Sequence, residues 1–228
     1  MNSTTGQRGH LHRRQQVLHA VHPLDPLCDL LVAPLDQFFV HSHGSVPTLA
    51  PASFRLSVAG DVVRPLRFSL NDLRERFSLI TILSKMRCVG SECQNLSDPE
   101  ALGSESSEFG RAAGNAIWGG ASLQQVLLAA GINNSARFAV FTGLDSIEIK
   151  TQRTNYSNAI SIETALRPEV LLAYEMNGQP LTPEHGAPLR LVVPGEEGAQ
   201  GVKWLSEIKL MAYPLTNNLR TRFCNIIK

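Results

Sequence analysis

His185, Arg190 and Lys203 fall close together in the stretch Val170–Met211, VLLAYEMNGQPLTPEHGAPLRLVVPGEEGAQGVKWLSEIKLM, around which the chain is organised. Arginine offers a bidentate fork and lysine a point charge, so three cationic donors here suit a phosphate. The loop Pro194–Gly201 adds to this, because glycines at 195, 198 and 201 let backbone N–H groups turn inward around an anion. The same charges also fit a solvated sheet rim, where most ionised side chains sit. Cys88, behind the apolar run Leu79–Met86, is by residue type either an inert core thiol or a ligand. His41 and His43 alternate in an extended segment and so point the same way, a spacing that suits a metal, an anion or plain surface histidines.

The elements that must position these residues are legible from pattern. Val170–Tyr174 reads as a strand, Asn177–Gly178 as a two-residue hairpin turn, and Leu189–Val193 as a second strand bounded by Pro188 and Pro194–Gly195. Lys203–Met211 reads as a third, which sets the cationic cluster at the edge of one small sheet. Upstream, Leu27–Phe39 reads as a short helix or a helix with an extended exit. Phe54–Val58 is a strand closed by Gly60–Asp61, with Arg67–Ser69 as its partner. Ser69 or Asn71 caps a helix through Phe77, with Asp72 in its first turn. Leu79–Met86 is a buried strand, and Asn95–Gly110 a polar surface loop. Ser122 caps the helix Leu123–Ala130, which Gly131 stops. Arg137–Phe141 runs as a strand into Gly143-Leu144-Asp145, and Ser161–Leu166 forms a short helix.

The segments AYEMNGQPL, EHGAPLR and GVKWL resemble the closing motifs of the sulfite oxidase and assimilatory nitrate reductase family, enzymes that hold molybdenum through a pyranopterin, molybdopterin. The resemblance runs from about Leu27 to Met211 and also covers AAGNAIWGG at 112–120 and Gly143-Leu144-Asp145. It implies the family's α+β fold, mostly mixed β-sheets with short helices around the cofactor. It implies that His185, Arg190 and Lys203, with Gly201 and Val202 beside them, contact the pterin and its phosphate. Asp145 would be a further pterin contact, although a plain turn residue fits as well. The segment Phe39, Val40, His41, Ser42 and His43 would line the pterin and the metal, and the Cys88 thiolate would be the protein's ligand to molybdenum. His43 and Val46–Pro47 match the family, whereas His41 stands where it has Arg and Ser42 where it has Asn. Glu92 and Cys93 replace two arginines, and Ala159 replaces a serine that would reach the pterin. The implied chemistry is oxidation of sulfite to sulfate, with His41 and Cys88 as active-site residues, or a catalytically impaired cofactor-binding relative without turnover. GAQGVKWL is more similar to the sulfite oxidase branch.

At 228 residues the chain fits one large domain or two small ones. The divisions expected are a disordered or targeting tail at 1–26, a molybdopterin-binding domain at 27–211 and a tail at 212–228. Net charge is +1 with 18% charged residues, which gives nucleic acid no basic footprint to bind. No run of about 18 apolar residues suggests a membrane span. Four cysteines in a chain this long are too few for a disulfide scaffold and favour an intracellular home. Met1–Leu24 carries Arg8, Arg13 and Arg14 and no acidic residue, a composition compatible with mitochondrial import, the cytoplasm being the alternative. The residues after Met211 lack the pattern with which the family continues, and no haem module is expected ahead of the domain. The family's β-sandwich and its homodimer are therefore expected to be missing. The expected partners are a small sulfite-like anion and an electron acceptor of unspecified kind.

Overall fold

A computed structural model of the protein describes residues 12–14, 17–20, 31–42, 44–87, 113–149 and 152–213. In chain order its strands are β1 (His12–Arg14), β2 (Val17–Ala20), β3 (Val40–Ser42), β4 (Leu56–Gly60), β5 (Leu66–Phe68) and β6 (Ile80–Arg87). They continue with β7 (Ala113–Ser122), β8 (Phe138–Ile149), β9 (Gln152–Ser161), β10 (Leu171–Met176), β11 (Gln179–Pro180), β12 (Arg190–Val192) and β13 (Leu205–Met211). Among the described residues there are three short helices, α1 (Leu70–Arg76), α2 (Leu123–Ala130) and α3 (Ile162–Ala165). One sheet runs β11-β10-β7-β6, with β12 also paired to β10, and a second runs β5-β4-β13-β8-β9. A small third sheet joins β1, β2 and β3. This is the mixed α+β architecture expected.

Local chemistry accounts for much of it. Ser69 caps α1 in a reciprocal box: the Asp72 amide donates to Ser69 Oγ at 3.1 Å and the Ser69 amide donates to Asp72 Oδ2 at 2.7 Å. Ser122 caps α2, and Gly131 closes it with φ 72. Asn177 (φ 53) and Gly178 (φ 74) form the two-residue turn between β10 and β11, where both residues need positive φ. Asn177 also locks neighbouring segments, its Oδ1 accepting from the Ile117 amide and its Nδ2 donating to the Ala33 carbonyl, each at 2.9 Å.

Strand β10 is covered on both faces. Leu172 and Tyr174 pack into the larger core with Leu56, Phe141 and Leu127, while Leu171, Ala173 and Met176 pack into a second cluster with Phe38, Met86 and Trp118. Alternate side chains thus enter different cores, and the strand reads as one apolar run.

Four expectations change. Residues 31–39 form turns rather than a helix, since the Phe38 amide reaches only the Pro34 carbonyl and Pro34 itself cannot donate. Strand β6 sits at a sheet edge, with Leu83, and Leu79 just ahead of the strand, more than half exposed, so it is buried on one face only. Strand β8 does not stop at Phe141 but continues through a bulge between Thr142 and Ser146. Strand β13 joins β4 and β8 in the second sheet and not β10 and β12, which places the cationic residues between two sheets. Cys28, Cys88, Cys93, Cys224, His43, Glu92 and the 95–110 loop lie outside the described residues.

Candidate functional site

Two turns carry His185 and Lys203 and are stitched to each other, while Arg190 opens strand β12. The single turn Pro183–His185 ends at Gly186 (φ 100), where an added Cβ would lie 2.9 Å from Lys203 Cβ. Trp204 Nε1 donates to the Pro183 carbonyl at 2.8 Å, and the Trp204 amide donates to the Gly186 carbonyl at 3.3 Å. Gly186 is therefore required both by its conformation and by the close approach of Lys203.

Arg190 is 4% exposed, and among the described residues it is held by neutral groups alone. Its Nη1 donates to the His185 carbonyl at 3.1 Å, and its Nη2 to the Gly201 carbonyl at 3.3 Å and to Met86 Sδ at 3.4 Å. Its guanidinium carbon lies 4.8 Å from the centre of the Trp118 ring, and its Nε has no partner. Burial pushes its pKa down to about 9, so it remains charged at neutral pH. Lys203 is half-buried, and its ammonium donates to Ser42 Oγ at 2.7 Å and to the Glu184 carbonyl at 2.8 Å. Burial first, and the Arg190 charge second, lower its pKa to about 7. Among the described residues neither cation has a carboxylate within ion-pair distance.

His185 alters the expected charge count. Its Nε2 faces the Leu35 carbonyl at 3.2 Å; a carbonyl only accepts, so this nitrogen carries the proton and Nδ1 is left as an acceptor. Burial, reinforced by Arg190, lowers its pKa to about 4. The cluster is therefore two cations and a neutral imidazole, not three cations. Nor is it a solvated rim, since His185 and Arg190 are each 4% exposed.

Asp145 is delivered by the bulge in β8. It is 4% exposed, its Oδ1 has no partner, and burial raises its pKa to about 6 against the opposing pull of its own backbone N–H and of Lys203. Gly143 makes room for it, since a Cβ there would lie 2.5 Å from Asp145 Oδ1. A plain turn residue would face water, whereas this carboxylate is buried with an unused acceptor.

The structure thus brings together Ser42, Asp145, His185, Arg190 and Lys203. Phe39 stacks on Phe38 with ring centres 5.0 Å apart and packs at the margin of the second cluster. Val40 and His41 lie half-buried on β3, and His41 is in register with His19, which in turn pairs with His12. Ser42 reaches Lys203, so alternation along the strand sets His41 on the opposite face. Gly201 and Val202 give a ligand no backbone donor, because their amides bond to the carbonyls of Gly198 and Gln200. The Glu196 and Gln200 amides are likewise used within the loop. Gly201 matters instead as the acceptor for Arg190, and Val202 is core. Ala159 supplies no polar group, while its neighbours Tyr156 and Asn158 both donate to the Ala199 carbonyl, at 2.7 and 2.9 Å, and fix the loop.

Two residues escape sequence reasoning. Trp118 was visible only as part of AAGNAIWGG, and its role as the aromatic bed of Arg190 follows from the pairing of β7 with β10. Met86 carries no sequence signal for its contact with Arg190.

A family model described as the oxidoreductase molybdopterin binding domain matches residues 43–219. The chain is 35% identical over 196 residues to the sulfite oxidase of Gallus gallus, covering 85% of this chain and 42% of that protein. It is 37% identical over 201 residues to the mitochondrial sulfite oxidase of Mus musculus, covering 86% and 36% respectively. Its fold aligns with the crystal structure of the sulfane dehydrogenase SoxCD from Paracoccus pantotrophus at a TM-score of 0.72 and 25% identity, covering 87% of this chain and 48% of that one. The chain spans less than half the length of these relatives.

Proposed function

The chain belongs to the molybdopterin-binding oxidoreductase family, and from that premise we propose that it holds a molybdopterin between its two larger sheets and oxidises sulfite. The observation that carries this reading is a buried guanidinium with no carboxylate partner among the described residues. A buried charge is costly unless it is paired, and the phosphate of the cofactor is a fitting counter-ion for Arg190, with Lys203 adding a point charge. The orphaned Oδ1 of Asp145 suits an N–H donor on the pterin ring, and His185 Nδ1 offers a second acceptor. The donor set therefore fits the group. Bound there, the molybdenum centre would supply oxygen-atom transfer to the substrate.

The protein's part is to position the cofactor and to hold fixed positive charge in a site shielded from water. Strand β6 contributes by placing Met86 against Arg190, two residues before Cys88, the proposed thiolate ligand. Sulfite itself would meet an altered pocket, since His41, Glu92 and Cys93 stand where the resemblance leads one to expect arginines. The name of the mouse relative, with the basic, acid-free N-terminal residues, supports a mitochondrial home.

The test is molybdenum and pterin analysis of purified protein beside Arg190→Ala, with sulfite turnover followed through an artificial acceptor. Each charge-assisted hydrogen bond contributes about 1.5–3 kcal/mol, so Arg190→Ala is expected to lose the cofactor at least about tenfold faster on dialysis. Equal retention by the variant would overturn the phosphate role. Loaded protein inert toward sulfite would overturn the substrate.

A further inference from the structure

We infer that Met86 is a positioning residue that holds Arg190 without neutralising it, so that the full charge of the guanidinium is left for the anion. The inference rests on the proposed cofactor site. Among the described residues every group that holds Arg190 is uncharged: the carbonyls of His185 and Gly201, the ring of Trp118 and the thioether of Met86. Met86 is the one side chain among them that offers Arg190 a lone-pair acceptor, and it is 9% exposed. A thioether is a weak acceptor and carries no charge, so it orients Nη2 but leaves its electrostatic demand unmet. A carboxylate in its place would form an internal ion pair and remove the attraction for a second anion.

The position is tightly defined. A Cβ on Gly198 would lie 3.3 Å from Met86 Cγ and 2.7 Å from the Arg87 carbonyl oxygen, so loop and strand are already in contact there. A bulkier loop residue would displace Met86 from the guanidinium. Met86 thereby ties three parts of the site together: the end of β6, the 194–201 loop and Arg190.

The experiment compares Met86→Glu with Met86→Gln, which are nearly equal in shape and differ in charge, in full-length protein. Two readouts are taken: cofactor retained on dialysis, measured as molybdenum and oxidised pterin, and the melting temperature of cofactor-free protein. Met86→Gln is expected to retain cofactor within about threefold of wild type, since a neutral acceptor is preserved. Met86→Glu is expected to lose it at least about tenfold faster, while its cofactor-free form melts no lower than that of Met86→Gln because Arg190 gains a partner. A residue that only filled space would show no such opposition between the readouts. Equal retention by the two variants overturns the inference, as does a tenfold loss in Met86→Gln, which stands as the decisive arm if Met86→Glu does not fold. Wild type without pterin would instead overturn the underlying site, and the inference with it.

Discussion

The larger core and the cationic site are both buried, yet they treat polar groups in opposite ways. Around β4, β8, β13 and α2 the interior is apolar, with Leu56, Phe141, Leu127 and Ile208 all fully buried, and its helix ends are closed by Ser69 and Ser122. At the site, Arg190 Nε, Asp145 Oδ1, Trp118 Nε1 and Gln200 Oε1 are buried without partners. Such orphans cost free energy in the isolated chain. The core is complete by itself, whereas the site is arranged for something the chain does not supply.

That contrast can be broken from either side. Phe141→Ala is expected to destabilise the protein by about 3–5 kcal/mol, and equally with and without cofactor, because it empties the self-sufficient region. Chemical denaturation of both forms checks it, and a loss confined to the loaded form would show that core and site are one unit.

A pH titration tests the site next. The Lys203 pKa is lowered to about 7 from 10.5, so between those values the folded chain binds fewer protons than the unfolded chain, and its cofactor-free stability rises with pH. Cofactor retention should move the other way. A phosphate prefers the charged ammonium, so affinity falls by up to about tenfold per pH unit above 7. Denaturation and dialysis series between pH 6.5 and 8.5 would show the opposing slopes, and parallel slopes would remove Lys203 from the site.

The smallest effect concerns a local device made by Ser69 and Asp72 alone. Ser69→Ala removes the capping hydroxyl of α1 and should cost about 1 kcal/mol without changing cofactor retention, as denaturant midpoints and pterin content would show.

What could be read in advance was whatever a few neighbouring residues decide. Asn177–Gly178 requires positive φ at both positions, so the hairpin was written locally. Ser69 three residues before Asp72, and Ser122 ahead of an apolar helix closed by Gly131, were legible for the same reason. The motif residues Asp145, His185, Arg190 and Lys203 could be named because their types and order carry the family resemblance, and Ser42 from its place in a matching segment.

Their protonation and partners could not be named, because these depend on burial and on distant segments. One partner of Lys203 is Ser42, 161 positions away, and that of His185 Nε2 is Leu35, 150 positions away. The burial that makes His185 neutral and leaves Asp145 Oδ1 without a donor arises only when two sheets close over turns that look solvent-exposed in sequence. Leu79–Met86 reads as a buried strand because apolar composition does not say which strand ends at a sheet edge. Residue chemistry and short-range stereochemistry thus determined the turns, the caps and the inventory of the site. Only tertiary packing decided that Arg190 would lie on Trp118, against Met86, with its charge unspent.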